Sequence, residues 1–178
     1  MNEGGSQVFA SLANDGTLYF SSSRRSGTMQ IFRARRMRGG YPVVEPIPAA
    51  IDDGKSYIAE SFIAPDQSYM LLGIYGRPDG YGNYDIYISY RRGAAWSPPI
   101  NLGPVINTPA REYSPRVTPD GKYLIYTSER GFATRRPRRP FTYEQFMNGQ
   151  RGILNGYGNI YRIDMRYVLD STRPKAWR

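Results

Sequence analysis

The chain has no cysteine and no histidine among its 178 residues. Disulfide frameworks, thiol nucleophiles, cysteine or histidine zinc sites and imidazole bases are thereby excluded, and neither a Ser-His-Asp nor a Cys-His machinery can be assembled. Lysine is nearly missing as well, with only Lys55, Lys122 and Lys175 among 24 basic residues. No apolar run approaches the ~20 residues that a membrane helix needs, so no membrane span is expected. Met1 to Gly16 lacks the basic-then-apolar order of an export signal, an absence that a mature or truncated chain would share.

What is present points to strands and turns. Gly 19 and Pro 14 punctuate a chain rich in Tyr 16, with Phe 7 and Trp 2, a composition that favours many short strands over helices. An all-β fold is expected, on a length sufficient for one compact domain or two small ones. The net charge of +9 is carried almost wholly by arginine. Guanidinium stacks on aromatic faces and forks onto carboxylates, so an arginine and tyrosine surface suits acidic or planar groups. A general bias toward arginine codons is the plain alternative.

Internal repeats are visible. Asn14-Asp15-Gly16 followed by Thr17 to Ser22 matches Pro65-Asp66-Gln67 followed by Ser68 to Gly73, and Pro119-Asp120-Gly121 followed by Lys122 to Ser128. Proline presets φ, aspartate bonds its own downstream backbone, and glycine tolerates positive φ, so each copy reads as a turn feeding a strand. Asp15, Gly16, Asp66, Pro119, Asp120 and Gly121 are therefore turn residues. The aspartates are 51 and 54 residues apart, close to the ~40 to 50 of propeller blades.

A second strand recurs as Gln30 to Ala34, Asp85 to Ser89 and Asn159 to Ile163. Pro-rich stretches opening at Tyr41 and Trp96 suit edge strands. With a short inner strand ahead of each turn (Val8 to Leu12, Phe62 to Ala64, Arg116 to Thr118), the expectation is about three four-stranded β-propeller blades, a partial propeller or half-ring. The units run about 8–50, 58–107 and 112–165, with an insertion at 131–158 in the third and a tail at 166–178. Thr142-Tyr143-Glu144-Gln145 fits a capping box, so a short helix is expected in the insertion, ended by Gly149. Met165 to Asp170 fits another brief helix. A β-sandwich is the rival fold, but it does not predict one turn returning at nearly constant spacing.

These motifs resemble the TolB-like, WD-repeat-like β-propeller family of exported bacterial proteins. The best copy runs from Ser114-Pro115 through Pro119-Asp120-Gly121-Lys122 to Ser128-Glu129-Arg130, and Ser22-Ser23-Arg24 repeats its ending. The second unit keeps only a shifted arginine, Arg77, and carries Gln67 where glycine is usual. The resemblance covers residues 8–165 and the C-terminal half of a longer propeller. It implies a non-catalytic recognition scaffold for a protein partner or cell-envelope glycan, in the periplasm or outside the cell, with no cofactor. Two chains could close head to tail into a six-bladed homodimer.

Arg24, Arg77 and Arg130 leave the same strand of successive units and are candidates to bind an acidic ligand, with Asp85, Tyr87 and Trp96 beside them; bracing of each hairpin is the structural alternative. Asp79 to Asp85 and Asn155 to Asn159 echo one another, but the second lacks a carboxylate, so a shared turn is preferred to calcium and no metal is expected. The cluster Arg33, Arg35, Arg36 and Arg38, with Arg135, Arg136, Arg138 and Arg139, suggests a polyanion binder, although no nucleic-acid-binding motif accompanies it. For catalysis only a carboxylate pair survives, drawn from Glu60, Asp85, Glu112 and Glu129, as in a glycan-processing or peptidase-associated propeller; nothing in their spacing singles out a pair.

Overall fold

Three turns of one design organise the chain. In the computed structural model, which describes residues 4–24, 27–52, 54–131 and 139–177, each turn is closed by a bond to the carbonyl three residues back. Gly16 donates to Ala13 at 2.9 Å, Gln67 to Ala64 at 2.8 Å and Gly121 to Thr118 at 2.8 Å. The preceding aspartate accepts the N–H two residues on, at Thr17 (2.8 Å), Ser68 (3.0 Å) and Lys122 (3.1 Å). The residue after each aspartate is left-handed, with φ of 80° at Gly16, 59° at Gln67 and 73° at Gly121.

Each turn joins the first two strands of an antiparallel sheet. Sheet 1 runs in order β1 (Gln7–Leu12), β2 (Leu18–Ser22), β3 (Gln30–Ala34) and β4 (Val44–Pro46). Sheet 2 contains β5 (Tyr57–Ile63), β6 (Tyr69–Tyr75), β7 (Tyr84–Arg92) and β8 (Ala95–Trp96), with β9 (Ile100–Asn101) also on β7. Sheet 3 contains β10 (Glu112–Val117), β11 (Tyr123–Ser128) and β12 (Asn159–Asp164). The helices are α1 (Tyr143–Arg151) and α2 (Met165–Thr172).

The sheets stack in chain order, β1 to β3 against β5 and β10 against β5 to β7, without closing into a ring. Sheet 2 is the middle layer, and period-two alternation sends its side chains both ways. Met70, Leu72, Ile74 and Tyr87 meet Tyr19 and Ile31 of sheet 1, whereas Tyr69, Leu71, Ile86 and Ile88 meet Leu124 and Tyr126 of sheet 3. That explains why β6 and β7 are buried along almost their whole length while β1 is half exposed. The outer face of sheet 1 carries Phe20 and Phe32, covered by Leu18, Tyr41 and Val44.

The four-strand count holds only for sheet 1. In sheet 2, Pro98 and Pro99 cannot donate to a ladder, so the outer edge splits into β8 and β9. In sheet 3 no fourth strand exists among the described residues. The chain leaves β12 at Asp164, whose side chain caps α2 by accepting the Arg166 N–H at 2.8 Å. Met165 and Val168 are then buried against the sheet 2 and sheet 3 core, and Thr172 bonds the Tyr90 hydroxyl at 2.7 Å.

Helix α1 starts with the capping box of Thr142 and Gln145, but it does not stop at Gly149. It continues to Arg151 and is capped at Gly152, whose N–H reaches the Gly149 carbonyl at 3.2 Å. A glycine inside a helix costs only about 1 kcal/mol, too little to end one that is well capped. Arg135, Arg136 and Arg138 lie outside the described residues.

Candidate binding surfaces at the two ends of the sheets

Arg24, Arg77 and Arg130 all stand at the end where β2, β6 and β11 finish, and each covers the ring at the same repeat position of the next strand. Arg24 lies 5.4 Å from the Phe32 centroid, Arg77 5.1 Å from Tyr87 and Arg130 4.6 Å from Tyr161. Arg77 reaches its ring although it is displaced by one residue, because Gly76 at φ 74° takes up the extra residue. Arg77 also pairs with Asp79 at 2.9 Å. Burial opposes ionisation of Asp79, but the bond and charge of Arg77 hold its carboxyl below the usual range.

Arg24 and Arg130 each bond a serine two residues back at the end of their own strand. Ser22 Oγ accepts from the Arg24 N–H (3.2 Å) and from Gln7 Nε2 (3.4 Å). Ser128 Oγ accepts from the Arg130 N–H (3.1 Å) and Nε (2.9 Å) and donates to Glu112 Oε1. Arg130 goes further, donating to the Ile106 carbonyl and to the Tyr126 hydroxyl. Bracing within and between sheets therefore occupies this arginine.

The carboxylates at this end are engaged in the same way. Glu60 accepts from the backbone N–H of Ser114, joining sheets 2 and 3. Ser114 sits at φ 54° in a bulge of β10, six residues before its turn aspartate, where Phe9 of β1 has φ 55°. Glu112, fully buried, accepts from the Thr108 N–H (2.8 Å) and hydroxyl (2.7 Å) as well as from Ser128. Asp85 accepts from the Tyr81 N–H at 2.6 Å and the Gly82 N–H at 3.4 Å. Glu129 pairs with Arg111 at 3.5 Å.

Asp85, Tyr87 and Trp96, candidate ligand residues by sequence, lie inside the protein, 1%, 0% and 6% exposed. The Tyr87 hydroxyl bonds Asp79 at 3.2 Å, and Trp96 fills the core between sheets 1 and 2. Burial pushes the Tyr87 phenol up to about 12 and raises the Asp85 carboxyl above its usual range. In the echoing loop at Asn155, Asn155 Oδ1 accepts from the Tyr157 N–H at 3.0 Å and Asn159 donates to the Tyr157 carbonyl at 2.9 Å, while Asn155 forms an antiparallel bridge with Gly131.

Burial likewise raises the Glu60 carboxyl above its ordinary 4.5. Ionising Glu60 is therefore harder in the folded than in the unfolded chain, and stability falls as pH rises from the unfolded value to the folded one. Glu60→Gln keeps an acceptor for Ser114. Its melting temperature should equal that of the parent near pH 4, rise above it as pH passes through the Glu60 titration, and keep that lead at higher pH; an offset already present at pH 4 and unchanged at pH 8 would remove burial of the charge as the cause.

The opposite end, where the aspartate turns lie, holds a polar cleft of about 340 Å³ between sheets 1 and 2. Its walls carry Arg33, Arg35, Arg36 and Arg91, with Asp15 and Gln67 between them. Gln67 Oε1 accepts from the Tyr19 hydroxyl and from Arg91 Nη1, both at 2.9 Å, while its Nε2 donates to Asp15 Oδ2 at 2.7 Å. Burial works against the Asp15 charge, but bonds from Thr17 and Gln67, with Arg91 nearby, hold its carboxyl below the usual range. Arg91 lies 5.9 Å from the Trp96 ring centroid and bonds the Gly93 carbonyl at 2.8 Å. Arg33 pairs with Glu45 at 3.0 Å.

Arg33, Arg35 and Arg36 stand close together in the sequence, whereas Arg91 joins them from β7 of the next sheet. The signal available was Gln67, the one copy of the turn without glycine.

This chain is similar to a solved TolB-type structure. That protein, from Agrobacterium tumefaciens and assigned as TolB, is 14% identical, with a TM-score of 0.41 over 92% of this chain and 60% of that one. This chain thus spans less than two thirds of its length. No protein-family model and no curated protein matches the chain.

Proposed function

We propose that this chain is a non-catalytic β-propeller-type recognition scaffold of the cell envelope that binds a protein partner or a glycan there, two copies associating head to tail. The observation that carries the non-catalytic part is the use of the buried carboxylates: Glu60 and Glu112 spend their oxygens on backbone N–H groups and hydroxyls that tie loops and neighbouring sheets together, and Asp85 spends Oδ2 on two N–H groups of its own loop. A general acid and a nucleophile need carboxylates facing a shared space that admits substrate, and these three are 5%, 1% and 0% exposed. The scaffold part is supported by the repeated turns and by the sequence motifs of Ser114 to Arg130. Association is supported by the outer side of sheet 3, where edge strand β12 presents Ile160 at 79% exposure.

Co-sedimentation with insoluble bacterial envelope material tests the reading. The chain should pellet with the envelope and release no reducing ends or peptides. Loss of binding after proteinase treatment of the envelope assigns a protein partner, and retention assigns a glycan. Failure to pellet, or product release abolished by Glu112→Gln or Asp85→Asn, would overturn it. Light scattering on the same preparation should give about twice 20.3 kDa.

A further inference from the structure

Gln67 breaks the rule of its own repeat. The other two turns place glycine at the left-handed position, at φ 80° and 73°, whereas Gln67 holds φ 59° with a full side chain, a conformation that is sterically unfavourable for a non-glycine residue. Strain of this kind persists where the side chain is needed. Here its amide links the Asp15 turn of sheet 1, the Tyr19 hydroxyl and Arg91 of sheet 2 in one set of bonds. It forms the floor of the arginine cleft.

The charges above that floor do not cancel. Arg33 has Glu45 as its partner, and Arg91 faces Gln67 and the Gly93 carbonyl, with Asp15 the only carboxylate in the lining among the described residues. Arg35 and Arg36 are exposed and make no hydrogen bond or ion pair among the described residues. The Arg36 stem lies against the turn glycine, since a Cβ built on Gly16 would meet Arg36 Cδ at 3.0 Å. Two unpaired guanidiniums therefore line one small polar cleft beside two that are held in place. That matches a doubly charged, multi-oxygen group better than a single carboxylate. The aromatic residues beneath, Tyr19 and Trp96, are buried, so no stacking platform for successive bases is offered.

We infer that the cleft between the Asp15 and Asp66 turns is a binding site for a phosphate group, with Arg35 and Arg36 as its ligands and Gln67 and Arg91 as the residues that position it. The inference goes beyond the scaffold reading and does not depend on it, because phosphate binding is measured on the isolated chain without envelope material. A cleft of about 340 Å³ lies near the lower bound of small-molecule sites, which suits a phosphate ion or a phosphoryl group on one sugar.

Isothermal titration of the full chain with inorganic phosphate, glucose 1-phosphate and acetate, at constant ionic strength, tests it. Phosphate should bind saturably with one site per chain, and acetate should bind far more weakly. Equal affinity for the two phosphates assigns the free ion, and tighter glucose 1-phosphate assigns a sugar-borne phosphoryl group. Arg35→Ala with Arg36→Ala should weaken binding at least about ten-fold, as expected for lost charge-assisted bonds. A charge-matched control, Arg151→Ala with Arg162→Ala, should leave it unchanged. Gln67→Gly restores the usual turn residue, so it should keep the native circular dichroism while lowering affinity several-fold. Absence of saturable binding, equal binding of acetate, equal loss in the control pair, or full affinity in Gln67→Gly would overturn the assignment.

Discussion

Glu112→Ala lowers the unfolding free energy by about 3 to 5 kcal/mol, the cost of breaking a buried charged network from one side. The side chain is fully buried and satisfies three donors: the Thr108 N–H, the Thr108 hydroxyl and the Ser128 hydroxyl. Alanine leaves those donors dry, and it leaves the Arg130 guanidinium, 3.9 Å away, without its counter-charge. Glu112→Gln should cost less, about 1 to 2 kcal/mol, because an amide can still bond the hydroxyls. The chain itself supplies the precedent, since Gln7 occupies the equivalent place opposite Ser22 in sheet 1. Urea melts of the two variants read the difference; equal losses would mean that the negative charge, which both variants remove, carries the whole effect, and that the bulk and bonds an amide retains contribute nothing.

Arg130→Ala should cost about 3 kcal/mol, summed from charge-assisted bonds and stacking. Its guanidinium meets the Ile106 carbonyl, Ser128 and the rings of Tyr126 and Tyr161, so it ties the entry loop of sheet 3 to its outer strand. Lysine cannot reproduce a flat fork that is stacked on one face and bonded at its edge, so Arg130→Lys should recover little. The double variant Glu112→Ala with Arg130→Ala should lose clearly less than the two single losses added, because each removes a partner of the other. Simple additivity in urea melts would show that the two act independently. Arg130 thus has a structural duty, and a ligand recruited to it would have to displace bonds already made.

Much of the architecture was readable from local chemistry. The three aspartate turns, the strands on either side of them and the capping box at Thr142 each depend on residues within a few positions of one another, and such preferences are set by φ limits and short-range hydrogen bonds. The edge strands were legible for the same reason, since proline removes a donor wherever it stands. The end of α1 was not, because Gly149 ends a helix only when the chain turns left-handed there, and continued helical bonding outweighed its low propensity.

The candidate sites divide along the same line. That arginines recur at the close of one strand in each unit could be read from spacing, but that they lie over Phe32, Tyr87 and Tyr161 required strand pairing. Burial of Asp85 and Trp96 depends on which sheet covers them, and no single strand carries that information. The replacement of a fourth strand by α2 follows from where Met165 and Val168 find apolar partners.

By itself, the sequence determined the exclusion of thiol and imidazole chemistry, the repeated turn and strand units and the predominance of arginine, because these rest on residue identity and on interactions short in sequence. Only the tertiary structure decided that sheet 2 is buried on both faces, that Glu60 is spent on the Ser114 N–H of the neighbouring sheet, and that Arg91 and Gln67 join Arg35 and Arg36 in one cleft. Those outcomes depend on pairs 24 to 54 residues apart, brought together by sheet stacking, and no local preference encodes which of them will meet.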